Sequence, residues 1–128
     1  MAQTPTEELL QINQRLLDSI IQGDWDTYAE LCDPSLTAFE PEAVGNLVAG
    51  MDFHRFYFQL GKPSAPRQTS MSSPHVRLMG DSAVLSYVRV SQSLDADGRP
   101  VSSAVEETRV WQKQAAGWKH VHFHRSPV

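Results

Sequence analysis

The sequence predicts an α+β domain, with helices first and a run of long antiparallel strands afterwards. Three observations carry that expectation. Apolar residues recur at helical spacing near the N-terminus, apolar and polar residues alternate in long runs after Arg67, and turn sequences join those runs. At 128 residues the chain fits one domain, 1–128, because domains most often hold about 100 to 150 residues.

The first helix starts at a capping box, Thr4-Pro5-Thr6-Glu7, with proline at the first helical position, where its missing N–H costs nothing. Leu9, Ile12, Leu16 and Ile20 form the stripe it must bury, and Gly23 supplies a left-handed stop. Asp24 caps a short second helix through Trp25, Tyr28, Ala29 and Leu31, which Asp33-Pro34 ends because the residue before proline avoids helical geometry. A short strand over Leu36 to Phe39 follows, then Asp52 as cap of an aromatic helix holding Phe53, Phe56, Tyr57 and Phe58. Gly61, Pro63 and Pro66 end that helix. Four long strands come next, at about 68–79, 83–94, 101–114 and 118–125, joined by Gly80-Asp81, Asp95-Ala96-Asp97-Gly98 and Ala115-Ala116-Gly117. The long helix is expected to lie across this antiparallel meander.

Composition excludes several classes of function. A net charge of -4 with no basic run argues against nucleic acid, and 41% hydrophobic with 20% charged residues is ordinary for a soluble domain. Cys32 has no second cysteine to pair with and sits among apolar residues, which predicts a buried thiol in a reducing compartment. The N-terminus lacks the pattern of a signal peptide, and no apolar run approaches the ~20 residues that span a bilayer. A cytoplasmic protein without membrane partners is expected. The phosphate-loop, dinucleotide, nucleophile-elbow, zinc-protease and CxxC motifs are missing from the sequence, so it calls for no cofactor.

Strand phase sorts the remaining polar residues. Arg89 is in phase with Ala83, Leu85 and Tyr87, and Arg125 with Val121 and Phe123; Arg109 shares phase with Val105, Glu107 and Trp111, but both faces of that strand carry apolar groups, so its side stays open. Guanidiniums on an inner face need anionic company, since an unpaired buried charge costs several kcal/mol. Two readings stay open on the residues alone: a closed ion pair with Glu107, Glu106 or Glu40, or a cavity in which the forks take a carboxylate from outside. His120, His122 and His124 alternate in KHVHFHR and are expected to share the opposite face. Two of them could hold zinc or iron only if a third ligand arrived from elsewhere, and no carboxylate or cysteine stands at such a spacing, so no metal site is expected. His54 and His75 are read as structural.

Three stretches, GDWDTYAELCDPSLTAFEPEAVGNLVAGMDFHRFYF, SPHVRLMGDSAVLSYVRV and EETRVWQKQAAGWKHVHFHRS, resemble the association, or hub, domain of calcium/calmodulin-dependent protein kinase II. The likeness runs from about Glu8 to Ser126. It implies a cystatin-like α+β cone of the nuclear transport factor 2-like superfamily, working as an oligomerisation module whose partner is itself, in a two-layered ring of typically twelve or more subunits. It also implies a cavity for a small carboxylate, lined by Arg89, Arg109 and Arg125, with His54 and Tyr28 facing it. By that resemblance Arg125 is the informative residue of KHVHFHR, and the cavity is favoured over the closed ion pair. The superfamily implies one rival, proton transfer or dehydration of a small carboxylate with His54 or Glu107 as base. Two departures qualify the likeness. QLGKPSAP is shorter than the family's loop and lacks its aromatic residue, and the kinase glycine loop, HRD and DFG motifs are missing, so a stand-alone hub-like protein rather than an enzyme is expected.

Overall fold

The computed structural model describes residues 2–62 and 64–128, so Pro63, expected to help end the aromatic helix, lies outside the described residues. Helix α1 covers Pro5–Gln22 and α2 Trp25–Leu31; β1 is Cys32–Phe39, followed by a 3-10 turn at Pro41–Ala43, β2 at Val48–Ala49 and α3 at Asp52–Phe58. The long strands are β3 Gln68–Met79, β4 Ser82–Leu94, β5 Pro100–Gln114 and β6 Gly117–Pro127.

Local chemistry explains most boundaries. Thr4 Oγ1 accepts the Glu7 amide at 3.1 Å, and Gly23 closes α1 at φ 67°, a left-handed conformation that suits glycine. The Asp24 carboxylate accepts the Thr27 amide at 3.1 Å to start α2. Asp52, expected as a cap, is instead the first residue of α3; Met51 precedes it without a side-chain cap bond, so the Asp52 carboxylate serves in the first turn, where the helix dipole favours it. No described helix is long and apolar enough to cross a membrane.

The six strands form one sheet in the order β2-β1-β6-β5-β4-β3. The expected meander of β3 to β6 is antiparallel throughout, but β1 joins β6 in parallel, so the sheet is mixed. β1 also starts four residues earlier than expected, because Pro34 falls where the β1–β6 register slips between Cys32 and Thr37. Proline is tolerated there, as the ladder asks for no N–H.

The inner face packs under α1. Leu9, Leu16 and Leu17 are fully buried against Leu36, Leu85 and Trp111 in one core. Asn13 is buried among them and bonds from the helix to the sheet: its amide donates to Tyr87 Oη at 2.9 Å and its carbonyl accepts from Trp111 Nε1 at 3.0 Å. These bonds fix the helix over β4 and β5, where the arginines stand.

Candidate functional site

β4 and β5 bring Arg89, Glu107 and Arg109 to the inner face, and Glu107 sits between the two cations. Its Oε2 accepts from Arg109 Nη2 at 3.0 Å and from Arg89 Nη1 at 3.4 Å; its Oε1 accepts from Tyr87 Oη at 2.7 Å and from Arg109 Nε at 3.2 Å. Four donors fill a carboxylate's acceptor capacity. Burial by itself would raise the Glu107 pKa, but the guanidiniums of Arg109 and Arg89 overcome it and hold the carboxyl down to about 2. Such a group is a weak base with no free lone pair, which disfavours the proton-transfer role the superfamily suggests for it.

Arg109 is nearly sealed, at 1% exposure. Its guanidinium carbon lies 4.4 Å from the centre of the Phe123 ring, a cation–π contact, and Nη1 reaches His120 Nε2 at 3.4 Å. Arginine only donates, so His120 must accept at Nε2, carry its proton on Nδ1 and point it at Cys32 Sγ, 3.4 Å away. Burial, reinforced by Arg109, holds His120 well below the usual histidine range, and burial pushes the Cys32 thiol up to about 12, so it is an inert packing group.

That place for His120 corrects the expected histidine row. Trp111 pairs with His120 and Val110 with His122, which leaves Val121 as an extra residue in β6. This bulge turns His120 onto the inner face, stacked on Phe123 at 5.6 Å, while His122 and His124 stay on the outer face beside Phe39. The three imidazoles therefore do not share a face.

A cavity of about 220 Å³ opens beside the arginines, and all five residues singled out from the sequence, Tyr28, His54, Arg89, Arg109 and Arg125, line it together with Glu42. Aromatic packing holds the far wall: Tyr28 from α2 stacks on Phe58 from α3 at 5.0 Å, and His54 lies edge-on to Tyr28 at 6.1 Å. Burial, helped by the positive charges of Arg109 and Arg125, lowers His54 to about 4, so the imidazole is neutral near neutral pH. Its Nδ1 is 3.8 Å from Glu40 Oε2, a polar contact rather than an ion pair in that state, and its buried Nε2 has no hydrogen-bond partner among the described residues.

Glu42 went unrecognised in the sequence. Glu40-Pro41-Glu42 turns through the 3-10 segment, and this brings both acids to the cavity. Glu42 accepts a hydrogen bond from Arg125 Nη2 at the partly exposed mouth. Burial raises Glu40, and Arg125 draws Glu42 below the ordinary range despite its own desolvation. The only signal in the sequence was the proline between two acids.

A family model described as the calcium/calmodulin dependent protein kinase II association domain matches residues 5–128. The chain belongs to that family. It is 49% identical over 123 residues to the calcium/calmodulin-dependent protein kinase type II subunit delta of Oryctolagus cuniculus, covering 94% of this chain but 23% of that protein. Among solved structures, the hub homology domain from Chlamydamonas reinhardtii aligns with a TM-score of 0.93 at 50% identity, over 98% of this chain and 99% of that one. A nuclear transport factor 2-like protein from Salmonella enterica aligns with a TM-score of 0.75 at 23% identity, over 94% and 88% of the two chains. At that identity the likeness shows the fold alone, the α+β cone. The association-domain family and the cone thus meet in one chain.

Proposed function

We propose that this chain is a self-association module whose copies close into a two-layered ring of about twelve or more subunits, each keeping an arginine-lined cavity that takes a small carboxylate. The observation that carries the assembly reading is the association-domain match over residues 5–128. Exposed apolar side chains such as Phe39, Leu47, Leu78 and Met79 supply surface for contacts between copies. Ring closure comes from repeating one head-to-tail contact, and a small change of angle shifts the number of copies. Class averages of purified particles by electron microscopy test it. Stacked rings with a central opening are expected; small compact particles would contradict the assembly.

Charge and unmet hydrogen bonding support the cavity reading. Three guanidiniums face the ionised Glu107 and Glu42, while the third carboxyl, Glu40, is pushed toward its neutral form by burial. His54 Nε2 adds a buried polar atom with no partner among the described residues. A small carboxylate bound across Arg125 and Arg89 fits both features. Arg109 is too deeply bound to Glu107 for a clean test, so Arg125 is the better probe, at 23% side-chain exposure. Arg125→Gln is expected to weaken butyrate binding about tenfold or more in calorimetric titration while the assembly stays intact, on the scale of one lost charged hydrogen bond. Unchanged affinity would remove Arg125 from the site.

A further inference from the structure

Between the ends of β1 and β2 the chain forms a strap, residues 40–47, that is bonded mainly to itself. The Ala43 amide donates to the Glu40 carbonyl, Val44 to Pro41 and Asn46 to Ala43, each at 3.1 Å, and the Asn46 side-chain amide returns to the Ala43 carbonyl at 2.9 Å. Among the described residues, the strap has one side-chain hydrogen bond to the rest of the chain, from Arg125 Nη2 to the Glu42 carboxylate. Packing adds little to that bond. Apart from Glu40, only the small Ala43 is buried. Val44 is 84% exposed at φ 46°, a left-handed conformation unfavourable for a β-branched residue, so apolar contact does not hold this turn down.

The place of the strap gives that one bond its consequence. Glu40 and Arg125 line the inner cavity, and both also line a groove of about 460 Å³ whose other walls include Phe39, Pro41, His124 and Pro127. The same two side chains face both spaces, so the wall between cavity and groove is one layer of side chains. Two kinds of ion pair meet at this wall. Arg109 and Glu107, at the back of the cavity, are sealed at 1% and 0% side-chain exposure. Arg125 and Glu42 are 23% and 38% exposed, and a pair so open to water is weak enough to break and re-form. A segment with few buried apolar contacts and one such tie is the part of a fold that opens locally.

We infer that residues 40–47 are a gate latched by the Arg125–Glu42 pair: when the pair breaks, the strap lifts from the end of β6 and joins the inner cavity to the outer groove. The gate rests on the walls of the cavity and not on what the cavity binds, so its test uses no carboxylate.

Two readouts on the full chain, wild type and Glu42→Gln, test it: amide hydrogen exchange, and the rate at which diethyl pyrocarbonate labels His54, followed by peptide mass mapping. In the variant the amides of residues 42–47 are expected to exchange about two- to fivefold faster, the scale of one lost partly exposed ion pair, while those of α1 and β5 keep their rates. His54, 5% exposed at the cavity, should be labelled faster by a similar factor, and His120, at 0%, should stay protected. Wild type in about 1 M salt should shift the same way, because the screening length falls to about 3 Å. If Glu42→Gln fails to assemble, the salt series on wild type decides alone. Faster exchange along the whole chain would make the pair a general stabiliser and overturn the gate. Loosening of the strap without faster labelling of His54 would overturn the passage, and unchanged exchange of residues 42–47 would overturn the latch.

Discussion

Glu107→Gln is expected to destabilise the domain by about 3 to 5 kcal/mol, the usual scale for breaking a buried ion network by removing one partner. One carboxylate serves two buried guanidiniums and the Tyr87 hydroxyl, so its loss leaves Arg89 and Arg109 facing each other without a counter-charge. The amide supplies one acceptor oxygen where four bonds were accepted, and its NH2 group points donors at donors. Glu106, next in sequence, lies exposed on the other face, and Glu106→Gln should change stability by no more than about 0.5 kcal/mol. Urea denaturation of both variants at one fixed protein concentration checks the contrast, since assembly makes stability depend on concentration. A loss below about 1 kcal/mol for Glu107→Gln would mean that water, not Glu107, compensates the arginines.

Acid is expected to weaken the fold in two stages, and the imidazoles act first. His54 is lowered to about 4 and His120 well below the usual histidine range, both chiefly by burial. Unfolded, each takes up a proton near pH 6.5, whereas the folded form resists it. The unfolded chain therefore binds more protons, and stability falls as pH drops from about 6.5 toward 4, by up to about 1.4 kcal/mol per pH unit for each histidine. Glu107 acts second. Its folded value of about 2 lies below the ordinary 4.5, so its contribution is full above 4.5 and is lost as pH falls through about 2. Denaturation midpoints across this range should slope downward from near-neutral pH, and His120→Gln should flatten part of that slope. A flat profile between about pH 7 and 5 would show that neither imidazole is held neutral by the fold.

How much of this was legible in the sequence differs from residue to residue. Thr4 and Gly23 fixed α1 because caps act within a few residues, and strand phase put Arg89 beside Tyr87 because alternation is a local rule. The expected bounds of β3 coincide with those observed, since its flanking turns are marked by proline and glycine. What depends on pairing between distant strands could not be read. The parallel contact of β1 with β6 is one example, and the Val121 bulge that moves His120 inward is another; neither leaves a periodic trace in its own strand. The arginines show the same divide. Phase placed Arg89 and Arg125 on the inner side and left Arg109 open, because both faces of its strand carry apolar groups; only the packing shows Arg109 sealed inside and Arg125 at the mouth, and only the turn at Pro41 brings Glu42 to meet Arg125.

Self-association is the claim on which the rest of the account depends, and native mass spectrometry across a concentration series tests it most directly. A dominant species of about twelve or more subunits that persists on dilution is the predicted result, as expected for a closed ring in which every copy makes the same contacts. A monomer or dimer at every concentration would contradict it, leaving the association-domain fold without the assembly.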